Sequence, residues 1–106
     1  MFLILWEFEV KQGEETAFEK VYGPQGQWAQ LFRRDPKYLQ TKLLKDPSRS
    51  RIYFTLDFWN SQDAYNHFKE TNQDAYAKLD RAMESLTIRE RNLGYFLQLG
   101  PEPLSS

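Results

Sequence analysis

Residues 51–68 read RIYFTLDFWNSQDAYNHF, and this stretch decides the fold. Its first half, residues 51–59, divides into two alternating sets of side chains: Ile52, Phe54, Leu56 and Phe58 on one side, and Tyr53, Thr55, Asp57 and Trp59 on the other. Alternation with a period of two, rich in β-branched and aromatic residues, predicts a β-strand. The period then changes, because Ala64 and Phe68 lie four residues apart, as on one face of a helix. We expect a central strand with two different faces, on which the other elements pack.

The flanking sequence predicts three more strands and further helical segments. In chain order, the predicted elements are strands at residues 2–10, 38–45, 51–59 and 86–99, a broken helix at residues 14–22 and 27–34, a helix capped by Ser61, and a helix capped by Asn72 that covers residues 73–85. Pro24 and its neighbouring glycines interrupt the first helix. Gly94 marks a bulge or a close packing contact in the last strand.

The order strand, helix, strand, strand, helix, strand is that of the ferredoxin-like split βαβ fold. This is an α+β architecture with an antiparallel sheet and helices on one face. Residues 1–99 are expected to form one domain, followed by a C-terminal tail at residues 100–106. Large apolar side chains occur on both faces of the central strands, so the second face needs a cover. A second copy is the expected cover, in a homodimer with two sheets packed face to face; alternation alone leaves open which face lines a pocket and which the interface.

The composition narrows the classes of function. The formal net charge is −1, and acidic and basic residues are interspersed, so the basic surface that binds nucleic acid is not expected. The chain has no cysteine, and its apolar run at residues 2–6 is too short to span a membrane. These features indicate a soluble cytoplasmic protein. Three Trp, six Tyr and eight Phe exceed what one small core needs, which favours an aromatic ligand pocket or an oligomer interface.

The chain resembles a known protein family. The strand ending YFTLDFW and its continuation NSQDAYNHF are similar to the antibiotic biosynthesis monooxygenase-like (ABM) domain of the dimeric α+β barrel superfamily. The family's recurrent positions here are Trp59, Ser61, Ala64, Tyr65 and Phe68. The broken first helix and the LGYF around Gly94 are also typical of one uncharacterised branch of this family.

The resemblance implies a homodimer, and for some members the oxidation of polyaromatic or quinol substrates by dioxygen without a metal or flavin cofactor. In such oxygenases the deprotonated substrate itself supplies electrons to dioxygen. The protein then has to bind an aromatic molecule, take a proton and exclude water. Other relatives cleave haem with a helix His and an Asn on the first strand, and the first strand here contains no Asn.

Asp57 is the first candidate catalytic residue. A carboxylate held in an apolar pocket has a raised pKa and can act as a proton acceptor. Glu7 or Glu9 of the neighbouring strand is expected near it. The alternative is a structural ion pair of Asp57 with Arg51, with Arg33 or with a residue across the dimer.

His67 is the second candidate catalytic residue, because it is the only side chain with an ordinary pKa near neutrality. It lies beside the apolar stripe of its helix, where it either edges the pocket or faces solvent. Trp59 either borders the pocket, as its family position implies, or closes the core. The candidate substrate-binding residues are Trp59, Tyr53, Tyr65 and Tyr76, whereas Trp28 is assigned to the core.

No metal-ligand spacing, phosphate-binding glycine loop or nucleophile triad is visible in the sequence. The leading hypothesis is a cofactor-independent, monooxygenase-like homodimer that acts on an aromatic or quinol-type small molecule in an apolar pocket. The alternative is a non-catalytic homodimer that binds a small hydrophobic molecule or serves as an assembly module.

Overall fold

Four strands form one antiparallel sheet in the computed structural model, which describes residues 1–100. They are β1 (Phe2–Val10), β2 (Tyr38–Lys45), β3 (Ile52–Trp59) and β4 (Thr87–Leu97), in the spatial order β2-β3-β1-β4. The two central strands are those that read as most apolar in the sequence. This order, with the helices between the strands of each βαβ half, confirms the predicted ferredoxin-like α+β fold. The predicted tail lies, apart from Gly100, outside the described residues.

Four helices pack on one side of the sheet. They are α1 (Glu15–Tyr22), α2 (Gln27–Phe32), α3 (Gln62–Thr71) and α4 (Gln73–Met83), and a short 3₁₀ turn at Glu84–Leu86 leads into β4. Between α1 and α2 a side chain at Gly26 would collide with the backbone carbonyl of Val21, so this turn requires glycine.

Ser61 and Asn72 occupy the predicted N-cap positions of α3 and α4, but only Ser61 makes a side-chain cap bond. Ser61 accepts a hydrogen bond from the backbone N–H of Ala64 at 3.1 Å, which confirms it as the N-cap of α3. Asn72 makes no side-chain cap bond to α4. Its Nδ2 donates to the carbonyl of Phe68 at 3.0 Å, so this side chain binds the end of α3 rather than the start of α4.

The two faces of β3 have different neighbours. The side of Tyr53 and Trp59 faces the helices, and both residues belong to the main hydrophobic core. The opposite side, here called the open face, carries charged residues such as Glu7 together with a set of apolar residues that share it through the strand register, namely Leu3, Leu5, Leu44, Phe54, Leu56, Phe58 and Phe96. The structure therefore assigns the polar-aromatic side of β3 to the helices, and the side of Ile52 and Phe58 to the open face.

A bulge in β4 changes the face on which its later residues lie. Trp6 pairs with Asn92 and Leu5 pairs with Gly94, so Leu93 is an extra residue without a partner on β1. Gly94 adopts a φ of 134°, in a region that favours glycine. The bulge predicted at Gly94 is confirmed, but the simple alternation predicted for this strand is wrong: Asn92 and Tyr95 lie on the same side of the sheet.

Candidate functional site

A cavity of about 310 Å³ lies between the sheet and the helices, and all four strands and all four helices contribute to its lining. This volume is at the lower end of the range for small-molecule pockets, about 300–1,000 Å³. Eight of its fifteen lining residues are aromatic, and these are Trp6, Phe8, Tyr22, Trp28, Phe32, Tyr65, Tyr76 and Tyr95. The aromatic character of the walls suits a small apolar molecule.

Asp57 is the buried charged group of this cavity. It lies in the middle of β3, where Ile4 of β1 and Thr41 of β2 flank it, and only 8% of its surface is exposed. Its Oδ1 accepts a hydrogen bond of 2.7 Å from Thr41 Oγ1. No donor among residues 1–100 reaches its Oδ2.

The environment of Asp57 gives it the pKa of a group that can exchange protons near neutrality. Burial raises the pKa of this carboxyl to about 6, against the opposing effect of the hydrogen bond from Thr41. Above that pH the side chain is mostly ionised and can accept a proton through Oδ2. Within residues 1–100 it forms no ion pair, so the pairing with Arg33 or Arg51 considered above is absent there.

Glu7 does not approach Asp57, contrary to the expectation from the sequence. It lies on the opposite face of the sheet, opposite Phe54, whereas Asp57 lies opposite Ile4. Its Oε1 accepts hydrogen bonds of 3.0 and 2.6 Å from the guanidinium group of Arg91. Glu9 pairs with Arg89 at 3.3 Å. Both carboxylates are therefore partners of β4 arginines, and the predicted proximity of Glu7 or Glu9 to Asp57 is wrong.

Tyr65 and Tyr76 extend from α3 and α4 into the wall of the cavity. The ring of Tyr65 packs 5.6 Å from Trp59 and 6.1 Å from Tyr95, and the ring of Tyr76 meets Trp28 edge to face at 5.0 Å. Burial raises the pKa of both hydroxyls well above their ordinary value, so both stay protonated. They can donate hydrogen bonds to a ligand.

The other three candidate residues lie outside the lining. Trp59 is fully buried and packs on Phe32 and Tyr65, so it supports two wall residues from behind. Tyr53 is also buried, and its hydroxyl donates a 2.5 Å hydrogen bond to Glu19. His67 is exposed on α3, because Ala64 and Phe68 occupy the inward side of that helix.

Three charged side chains of the cavity besides Asp57 were not anticipated from the sequence. Lys69 lies with its Nζ 4.3 Å from the ring centre of Tyr76, and it forms no ion pair within the described part of the chain. Asp80 and Glu90 add two carboxylates to the lining. Burial and the charge of Asp80 raise the pKa of Glu90. The lining therefore carries more negative than positive groups, which disfavours an anionic ligand.

Three further lining residues also escaped the sequence reasoning. Asn92 and Tyr95 reach the same wall only because of the bulge at Leu93, for which Gly94 was the available signal. Thr41 lines the cavity because β2 pairs with β3 in a register that sets it opposite Asp57. Nothing local in the sequence reports that register.

Within residues 1–100, no three His, Asp or Glu side chains are grouped so that they could hold a metal ion. None of the helices in that range has the length and apolar character needed to cross a membrane.

Comparison with known proteins decides the family. A model of the antibiotic biosynthesis monooxygenase family matches residues 1–79, about three quarters of the chain. The chain belongs to this family. No curated protein sequence matches the chain significantly.

Solved structures share the fold of this family member. A mutant form of SnoaB of Streptomyces nogalater, a cofactor-independent oxygenase, superposes with a TM-score of 0.72 at 20% identity, with 96% of each chain covered. PA3566 of Pseudomonas aeruginosa gives 0.66 at 17% identity, covering 93% of this chain and 94% of its own. A Deinococcus radiodurans protein assigned to antibiotic biosynthesis monooxygenases gives 0.74 at 10% identity over the full length of both chains. At these identities the likeness shows the fold.

Proposed function

We propose that this ABM-family protein is a cofactor-independent monooxygenase that oxidises a neutral aromatic or quinol-type molecule bound in the cavity. The observation that supports this most is Asp57, a buried carboxylate with an oxygen free of protein donors within residues 1–100, at the wall of an aromatic cavity. Tyr65 and Tyr76 bind the substrate through their rings and hydroxyls. Trp59 and Tyr53 support the site from the core behind it.

In the proposed reaction, Asp57 Oδ2 accepts a proton from an acidic C–H or O–H group of the substrate. The substrate anion passes one electron to dioxygen, which gives a substrate radical and superoxide. These two combine to form a peroxide at a carbon atom of the substrate. Asp57 returns its proton to the peroxide formed in this way, and loss of water then converts a methylene carbon into a carbonyl: one atom of dioxygen enters the product and the other leaves as water. The substrate is the only reductant, so the atoms and electrons balance without a further donor.

The aromatic lining has a second task in this proposal. It keeps water away from the substrate anion, which limits reprotonation and strengthens the electrostatic interactions inside the cavity. Lys69 lies at the same cavity and supplies a positive charge to offset the anion. The carboxylates of Asp80 and Glu90 favour a substrate that is neutral before it loses its proton.

The decisive experiment is oxygen uptake with an anthrone and with a quinol, corrected for autoxidation without protein. We expect Asp57→Asn to lower the rate constant by about 10²- to 10⁴-fold, as loss of a general base does. His67→Ala is the matched control, because His67 is exposed and lies outside the cavity lining, and we expect it to keep the wild-type rate. Equal rates for wild type and Asp57→Asn would remove Asp57 from the mechanism.

One observation favours a second candidate function, a non-catalytic homodimer that binds a small hydrophobic molecule. Of the two candidate catalytic residues, only Asp57 reaches the cavity, so the predicted pair of catalytic residues does not meet there. In that case the wild-type protein binds anthrone or a quinol, with quenching of its Trp fluorescence, but does not accelerate oxygen uptake.

The proposed assembly is a homodimer in which two open faces pack together. Leu44 and Phe96 on this face are 50% and 46% exposed, an apolar surface that soluble monomers seldom leave uncovered. Sedimentation of the wild type is expected to give a dimer at micromolar concentration. Leu56→Arg should give a monomer, whereas Asn66→Arg, which adds the same charge on the exposed side of α3, should remain a dimer. A wild-type monomer would contradict this assembly.

A further inference from the structure

A chain of three hydrogen-bonded side chains ends at Asp57. Tyr38 Oη lies 2.6 Å from Thr41 Oγ1, and Thr41 Oγ1 lies 2.7 Å from Asp57 Oδ1. All three residues are buried, with exposures of 7%, 4% and 8% in that order. The register supports this arrangement: Thr41 lies opposite Asp57, and an irregularity at Leu39 brings Tyr38 opposite Trp59.

The directions of these hydrogen bonds follow from the number of protons available. An ionised carboxylate can only accept, so the single hydroxyl proton of Thr41 points to Asp57. Tyr38 must then be the donor to Thr41, whose oxygen can accept at the same time. Both hydroxyls are thus oriented towards the carboxylate, and Asp57 Oδ2 is left for a group in the cavity.

We propose that Thr41 and Tyr38 are positioning residues, which hold Asp57 with Oδ1 bound and Oδ2 presented to the cavity for proton transfer. Thr41 touches the carboxylate directly, and Tyr38 acts through Thr41 by fixing the direction of its hydroxyl. This inference rests on the proposed role of Asp57 as proton acceptor. It assigns the two residues a role in setting the pH at which Asp57 works, in addition to packing.

Thr41 is the one hydrogen-bond donor to Asp57 among residues 1–100, and its bond alone opposes the effect of burial on the pKa of Asp57. The other titratable and charged groups around the cavity are Tyr22 of α1, Tyr65 and Lys69 of α3, Tyr76 and Asp80 of α4, and Glu90 and Tyr95 of β4. At the other end of the hydrogen-bonded chain, burial raises the pKa of the Tyr38 hydroxyl, and the charge of Arg33 opposes this rise. None of these groups donates a hydrogen bond to Asp57, so their influence persists when Thr41 is changed.

The test is a carbon-13 NMR titration of the Asp57 carboxyl in ligand-free protein, for the wild type and three variants. Thr41→Val keeps the shape of the side chain but removes the donor, and we expect the pKa of Asp57 to rise by about one unit or more, as loss of a hydrogen bond to a charged group predicts. Thr41→Ser restores the donor and should return the pKa to the wild-type value. Tyr38→Phe keeps the ring and should give a smaller rise in the same direction.

The outcomes separate this inference from the proposed function. An unchanged pKa of Asp57 in both Thr41→Val and Tyr38→Phe would overturn the inference, even if Asp57→Asn abolishes oxygen uptake. A rise in both variants supports it even if no oxidation is observed, because the titration needs no substrate. If oxygen uptake is measurable, the acid limb of its pH profile should move upward in Thr41→Val by the same amount as the titration. Should Thr41→Val fail to fold, Tyr38→Phe alone still decides.

Discussion

Replacing Asp57 by Asn should stabilise the protein above pH 7 and leave its stability nearly unchanged at pH 4. Burial raises the pKa of Asp57 to about 6 from its ordinary value of 3.8, so between these values the folded protein binds the proton more tightly than the unfolded chain. The free energy of unfolding therefore falls as the pH rises through this window. Each unit of difference between the two pKa values corresponds to about 1.36 kcal/mol, so the free energy of unfolding falls by about 3 kcal/mol in total, and this loss is complete above pH 6. Total stabilities are about 5–15 kcal/mol, so this is a large share.

The variant does not lose this stability, because Asn keeps the shape of Asp but carries no charge. Its side-chain oxygen can still accept the hydrogen bond from Thr41. We therefore expect Asp57→Asn to be more stable than the wild type by up to about 3 kcal/mol at high pH, with the difference vanishing at low pH. The proposed proton acceptor would thus be a site where function lowers stability.

Urea unfolding followed by Trp fluorescence, from about pH 4 to about pH 8, measures this difference. Asp63→Asn is the control, because Asp63 is exposed in the first turn of α3. It should change stability by only a few tenths of a kcal/mol through the helix dipole. The reasoning is refuted if the wild type and Asp57→Asn keep a constant difference across the range. It is also refuted if the wild type gains stability relative to the variant as the pH rises.

Three further expectations concern capping, the bulge and the cavity wall. Ser61→Ala should lower the free energy of unfolding by about 1 kcal/mol because it removes the cap of α3, whereas Ser61→Thr should cost less; thermal melts compare them. Gly94→Ala should destabilise by about 1 kcal/mol or more, because its φ is 134° and the new Cβ would lie 3.3 Å from the ring of Phe96; a wild-type melting temperature would contradict the bulge geometry. Tyr76→Leu should raise the Kd of a bound aromatic about five- to tenfold, since ring contacts contribute about 1 kcal/mol. Tyr53→Phe, outside the lining, should bind normally in the same calorimetric titration.

The sequence predicted those parts of the fold that local physics determines. Strict alternation in residues 51–59 reports a strand regardless of its neighbours, and Ser61 followed by a helical period reports a helix start. The bounds of β2 agree with the prediction at both ends. The order of elements then leaves few sheet topologies, which is why the ferredoxin-like arrangement could be inferred.

The site was harder to predict because it depends on register between distant strands. The face of Asp57 could be read from alternation, but its partner Thr41 is fixed by the pairing of β2 with β3. Alternation in β4 was misleading after Leu93, since a bulge shifts the phase without any change in residue type. His67 and Tyr65 are only two positions apart on α3, yet one is exposed and the other is in the cavity wall. The helical pattern of α3 contains few apolar positions, so it does not show which of two nearby side chains is exposed and which lies in the cavity wall.

The bulge in β4 also bears on how such a strand can change length in evolution. Removing one codon from a regular strand turns every following side chain to the opposite face. Leu93 is already the surplus residue, so losing its codon would leave Asn92 and Tyr95 paired with β1 as they are now. If a codon between Glu90 and Asn92 were lost instead, Leu93 would have to pair with β1 so that the residues after it keep their partners. This strand can therefore lose one residue at position 93 while the wall of the cavity is inherited intact.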